Sequence, residues 1–293
     1  AGGPACAAAC GKLLGLGADG ICHAIAIAAL QAGGLLLIAE SGQCCKPLNP
    51  ANAARTGILS ARLAAKGVKG PVYPLESEKG WFHAVTDEVH YEMLEGLGET
   101  FTICESYLKP YPSCRHTHCG IEAATHIRER LLKRGKTAGD IRRAVLVTYP
   151  DGIGIAGQIR VPETADEAKF SIHYSAAAAL YTGNYTIGDL EQAPRPEVGM
   201  LAEKILLVPD PVMEDTARDI RGARLSVELS DGTVEEETVL LPKGEADNPM
   251  TWGDMERKLE ACLEGTVCRA ETLIRKLREV DMEARYEGIT ALL

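Results

Sequence analysis

Pro110 and Pro112 divide this chain, because a proline ring clashes with the preceding turn and removes an amide donor, so no continuous helix can run up to Ser113. They stand in the stretch Lys109-Pro110-Tyr111-Pro112-Ser113-Cys114-Arg115-His116-Thr117-His118-Cys119-Gly120. Ser113 is then expected to cap a helix running through Ile121-Glu122-Ala123-Ala124, since its hydroxyl can accept from the free amides of the first turn. A helix N-terminus already favours anions. Here it would carry Lys109, Arg115, His116 and His118. That combination suits holding a carboxylate and moving a proton beside it.

The text before this stretch is helical and rich in small residues. Residues 5–16 and 19–32 are Ala/Leu/Ile-rich and are separated by Gly17-Ala18-Asp19-Gly20, a stop-and-restart signal. Asn49 to Lys66 reads as a further helix, ended by Gly67 and Gly70-Pro71. So many alanines predict closely packed helices with a buried bundle core.

The text after it is mixed. Phe101 to Tyr107 reads as a short strand, and the helix after the prolines as running to about Lys133. Ile141 to Tyr149 is β-branched and partly alternating, hence a strand. Gly152, Gly154 and Gly157 mark a loop, and Glu167 to Tyr181 a helix. Ala223–Ser230 and Thr233–Leu240 flank Asp231-Gly232, a hairpin signal that suits a type I′ turn. Thr251 to about Val280 is helical again. The expected architecture is an α-helical domain with an inserted α+β domain. It comprises a helical domain over 1–100, a smaller α+β domain over 101–245, and C-terminal helices over 246–293 that return to the helical domain.

A formal net charge of −10 argues against nucleic-acid and anionic-membrane partners, which need a basic face. No apolar run reads as a membrane span, and no basic region precedes the first apolar stretch as in a secretory signal. The ten cysteines lie mostly in Ala-rich helical text (Cys6, Cys10, Cys22, Cys262, Cys268) and are expected to be reduced, structurally buried and cytoplasmic.

Several groups have two readings. Lys46, after Cys44-Cys45 and before Pro47-Leu48-Asn49-Pro50, is a solvated lysine, or a second cation for a polyanion. Two lysines in one pocket would lower each other's pKa, so that one could serve as a base. His116 and His118 would lie about 200° apart on a helix, so both could not face one pocket there. His118 is favoured as the pocket-facing one, because the small Cys119 and Gly120 permit close approach. Cys114-x-His116-x-His118-Cys119 has no second ligand pair at metal spacing, so no metal is expected. Gly152-x-Gly154-x-x-Gly157 is read as a loop and not as a dinucleotide site. Tyr174, on an apolar helix with Lys169 and His173, is a buried tyrosine with a satisfied hydroxyl, or a pocket residue.

Four ordered blocks resemble the MmgE/PrpD family, which includes 2-methylcitrate dehydratase, cis-aconitate decarboxylase and iminodisuccinate epimerase. They are Lys46-Pro47-Leu48-Asn49-Pro50-Ala51-Asn52-Ala53-Ala54 with Gly57, and Lys109-Pro110-Tyr111-Pro112-Ser113-Cys114-Arg115 through His118. The others are Glu167-Ala168-Lys169-Phe170-Ser171 with Tyr174, and Pro242-Lys243-Gly244 with Asn248-Pro249. The resemblance implies a helical domain plus an α+β lid domain, a homodimer, and an active site between the domains. It also implies a cofactor-free reaction on a small di- or tricarboxylate, at a carbon next to a carboxylate. Lys46, Lys109 and His118 match the family's catalytic positions, with Arg115, His116, Tyr174 and Asn49 as substrate-binding candidates. Asn49 stands where family members often have histidine. Dehydration of the 2-methylcitrate type is expected, with epimerisation or decarboxylation as alternatives. The family also carries an upstream helical segment, so this chain is expected to be a fragment, a split-gene subunit that a second chain completes, or a non-catalytic chain lacking a complete site.

Overall fold

The computed structural model describes residues 1–35, 45–99, 101–218, 220–266 and 269–279. The chain divides into two compact units, 1–100 and 101–293.

The first unit is helical: α1 (Gly2–Leu13), α2 (Ala18–Ala29), α3 (Leu48–Ala65) and the short α4 (Trp81–Val85). Its small core is almost all alanine, with Ala7, Ala24, Ala28 and Ala61 fully buried. Gly57 explains how closely α1 and α3 approach. A Cβ there would lie 2.6 Å from Cys6 Sγ and 2.8 Å from the Ala7 amide nitrogen. Gly15, at φ +74°, turns the chain after α1.

The second unit is built on a four-stranded sheet of order β2-β1-β5-β6. Strand β1 (Ile141–Thr148) runs parallel to β2 (Ile205–Pro209). β5 (Ala223–Leu229) and β6 (Val234–Val239) complete the sheet antiparallel. Two short strands, β3 (Glu214–Asp215) and β4 (Ile220–Arg221), pair separately. The long helix α5 (His118–Lys133) packs on the sheet and buries Ile121, Ala124, Ile127 and Leu131 at helical spacing. Gly120 brings it onto β1, since a Cβ there would lie 2.9 Å from Leu146. Between β1 and β2 come α6 (Pro150–Ala156), α7 (Ala165–Ala168), α8 (Ile172–Thr182), α9 (Ile187–Glu191) and α10 (Pro196–Ala202). α8 is buried along most of its length. Helices α11 (Trp252–Leu263) and α12 (Ala270–Arg278) follow the sheet. By their contacts they group with this second unit.

Five local expectations need correction. Phe101–Tyr107 is no strand but holds a 3₁₀ turn over Thr102–Glu105, with Phe101 and Ile103 exposed. Alternation alone cannot supply a sheet edge to pair with. The glycine-rich 152–157 segment is mainly the helix α6, because Pro150 at its first turn presets φ and Gly152 accommodates the Tyr149 ring. The helix expected from Glu167 breaks before α8, whose start is fixed by the Ser171 hydroxyl accepting from the Tyr174 amide. The Asp231-Gly232 hairpin forms, but not as type I′. Gly232, at φ +86°, is in the left-handed region and Asp231 is not. The Gly232 amide donates to Leu229 O and the Leu229 amide to Thr233 O, which describes a type I turn with a glycine bulge. The C-terminal helical text is two helices, parted near Gly265 (φ +75°); Val280 and Cys268 fall outside the described residues.

Cysteine burial is also overestimated. Cys22, Cys45, Cys104 and Cys262 are exposed, and Cys119 is the buried one among those described.

Candidate functional site

The segment leading into α5 is pinned at both ends by backbone. The Leu108 amide donates to Gly244 O at 2.8 Å, and the Cys114 amide to Lys169 O at 2.8 Å. Arg115–Thr117 form a 3₁₀ turn, and α5 begins at His118. Ser113 is therefore not the helix cap the sequence suggests. Its hydroxyl meets the Thr117 hydroxyl at 2.7 Å, and Thr117 in turn donates to Cys114 O at 2.9 Å. The turn is closed by side chains before the helix starts.

This turn distributes its charged groups to different partners. Lys109 Nζ donates to Ser113 O at 3.2 Å. Arg115 is buried and ion-paired with Glu245, and its guanidinium lies 5.4 Å from the Tyr107 ring centroid. Its Nη1 is buried without a hydrogen-bond partner. His116 Nδ1 is hydrogen-bonded to the Tyr149 hydroxyl at the end of β1. Burial raises the Tyr149 phenol above its ordinary value. Cys119 donates to Arg221 O at 3.1 Å, and burial pushes its thiol up to about 12.

His118 is the most constrained of these groups. It is 1% exposed, and its ring meets Tyr111 edge-on at 5.2 Å between centroids. It hydrogen-bonds the Ser113 backbone, while Nε2 is buried with no hydrogen-bond partner. Burial, then the charges of Arg115 and Lys109, lower its pKa to about 3, so the resting ring is neutral. A ring that donates from one nitrogen presents a lone pair on the other. Two buried polar atoms, His118 Nε2 and Arg115 Nη1, thus lie in one turn unsatisfied, a costly condition that a ligand would relieve.

The structure gathers Lys109, Arg115, His116 and His118 in this segment of the second unit. Tyr174 lies instead in that unit's core, where its hydroxyl accepts from the Arg195 amide at 2.8 Å. Lys46 and Asn49 are exposed in the first unit, on the approach to α3 and in its first turn. Glu245, Tyr149 and Tyr111 were not singled out from sequence. Glu245 directly follows the Pro242-Lys243-Gly244 block, and that adjacency is the one signal that could have marked it. No group of three or more His, Cys, Asp or Glu side chains suited to a metal occurs among the described residues. None of the described helices is long and apolar enough to cross a membrane.

The MmgE/PrpD N-terminal domain matches residues 1–94, and the MmgE/PrpD C-terminal domain residues 111–282. Cis-aconitate decarboxylase of Mus musculus is 28% identical over 98% of this chain and 59% of its own length. Cis-aconitate decarboxylase of Aspergillus terreus is 30% identical over 83% of the chain and 53% of its length. 2-Methylcitrate dehydratase of Cupriavidus necator is 25% identical over 78% and 49% respectively. The chain spans about half the length of the curated relatives it matches. With both domains matched in order along its length, the chain belongs to the MmgE/PrpD family.

Proposed function

We propose that this chain carries part or all of a cofactor-independent lyase site for a small di- or tricarboxylate, of the 2-methylcitrate dehydratase type. The observation that carries this reading is the neutral, buried His118, whose unpartnered Nε2 shares a turn with the unpartnered Nη1 of Arg115. Arg115 and Lys109 hold a substrate carboxylate and stabilise the enediolate that develops on it. His118 Nε2 takes the proton from the carbon next to that carboxylate. The electron pair of the C–H bond becomes the new double bond, and the β-hydroxyl leaves as water with a proton. Lys46 is carried over from the resemblance as a further substrate cation, with Asn49, His116 and Tyr174 as binding candidates. Assembly as a homodimer, or with a second chain, belongs to the same reading and is measured by sedimentation of the purified protein.

Decarboxylation is the second reading, favoured by the cis-aconitate decarboxylases among the relatives. It shares the carbanion but begins with loss of CO₂ and needs a proton donor. A resting neutral His118 presenting a lone pair suits abstraction better, so dehydration stands first.

The test is a panel of 2-methylcitrate, citrate, cis-aconitate and iminodisuccinate, followed by NMR in deuterated water. Water loss, with deuterium entering next to the carboxylate, supports dehydration; CO₂ release from cis-aconitate moves the assignment to decarboxylation. Lys109→Met should abolish either while leaving the fold intact. Full turnover in that variant would overturn the site.

A further inference from the structure

α1 carries a cysteine pair one helical turn apart, Cys6 and Cys10, so both thiols stand on one face. Their sulfurs are 3.9 Å apart. Cys6 Sγ also lies 3.6 Å from the Ala54 carbonyl of α3, and Gly57 leaves the room in which it is seated. Both thiols are partly buried and neither is oxidised.

Two chemistries compete at such a pair. A disulfide needs an S–S length of about 2.05 Å and Cβ atoms about 3.5–4.5 Å apart. Residues four apart on a helix hold their Cβ atoms about 5–6 Å apart. Oxidation would therefore distort α1 where it packs on Gly57. Chelation needs no such movement. Two thiolates on a tetrahedral ion, each about 2.3 Å from it, lie about 3.8 Å from each other. The observed separation matches that spacing.

We propose that Cys6 and Cys10 form a dithiolate site for a soft, thiophilic metal ion. Two thiols each release a proton, two sulfur–metal bonds form, and no redox change occurs. The proton must first leave a thiol made less acidic, since burial and then the Cys10 neighbour raise Cys6 above its ordinary value. Ion binding offsets this, because a cation stabilises both thiolates. Among the described residues no further His, Cys, Asp or Glu joins the pair, so the other coordination positions are open to water or a small thiol.

Cadmium(II) is the probe, with the intact chain kept reduced by a phosphine. Both cysteines, and no others, lie in the tryptic segment that ends at Lys12. Maleimide labelling of that segment is measured with and without one equivalent of cadmium, and Cys22 on α2 serves as the exposed reference. The expected result is roughly tenfold or greater slowing at Cys6 and Cys10 together, because a metal-held thiolate is not a free nucleophile, with Cys22 unchanged. Cys6→Ser should release Cys10 from protection, and Cys10→Ser should release Cys6. Equal labelling with and without cadmium overturns the site. So does Cys10 remaining protected in a folded Cys6→Ser chain.

Discussion

The carboxylate of Glu245 pairs with the guanidinium of Arg115, and both side chains are sealed from solvent at 9% and 6% exposure. The pair joins the turn before α5 to the loop after β6. It occupies one guanidinium nitrogen and leaves Nη1 for another partner. Removing one member of a buried pair strands the other charge, which costs about 3–5 kcal/mol. Glu245→Ala should therefore lower the unfolding free energy of the second unit by an amount in that range, read in urea as a lower midpoint at unchanged slope. Glu245→Gln, which keeps an acceptor, should lose less. Equal midpoints for wild type and Glu245→Ala would show that the pair contributes nothing.

A second prediction concerns acid. His118 is lowered to about 3 by burial and then by Arg115 and Lys109; His173 is lowered to about 4 by burial and then by Arg160. Both rings stay neutral in the native state, whereas in the unfolded chain they protonate near 6.5. As pH falls below about 6.5 the unfolded state binds the extra protons, so stability is lost until the folded values are reached. The slope is about 1.4 kcal/mol per pH unit for each histidine. Urea midpoints measured from pH 7 to pH 4 should fall. His173→Gln should flatten the curve by one histidine's share, and an unchanged slope would remove His173 from the account.

A third prediction tests the close approach in the first unit. A side chain at Gly57 meets the Cys6 sulfur and the Ala7 backbone. Backbone cannot swing aside, so Gly57→Ala should cost about 1–3 kcal/mol by overpacking. Thermal unfolding should show a lowered midpoint, and a variant as stable as the parent would mean that α1 and α3 separate more readily than their packing indicates.

These residues also show how far the sequence could be read. Helix α5 was legible because Ile121, Ala124, Ile127 and Leu131 repeat at helical spacing, and the 223–240 hairpin because Gly232 stands between two alternating runs. Both signals are local. The Ser113 cap failed because Thr117, four residues on, competed for its hydroxyl. Helix α6 was missed because three glycines outweighed a single favourable proline. Glu245 was out of reach, since its partner lies 130 positions earlier in the chain (245 − 115) and no periodicity links them. The pair Lys109 and His118 was readable as a cluster. What sequence could not supply was burial, and burial is what makes His118 neutral.

The last prediction follows from that neutrality. The His118 proton affinity is suppressed in part by Arg115 and Lys109, with a smaller contribution from Lys258. A bound polycarboxylate places negative charge among these cations and cancels their effect on the ring. The pKa of His118 should therefore rise on binding, and ligand association near pH 5 should take up protons from the buffer. Calorimetric titration of citrate in two buffers of different ionisation enthalpy measures the net proton exchange, to which citrate's own carboxyls contribute, and the difference between wild type and His118→Gln isolates the ring. A proton uptake larger in the wild type than in His118→Gln would place the proton on this ring. The same net exchange in both proteins, with citrate bound, would mean that His118 does not sense the substrate charge. The proton carrier would then have to be sought in another group of the site.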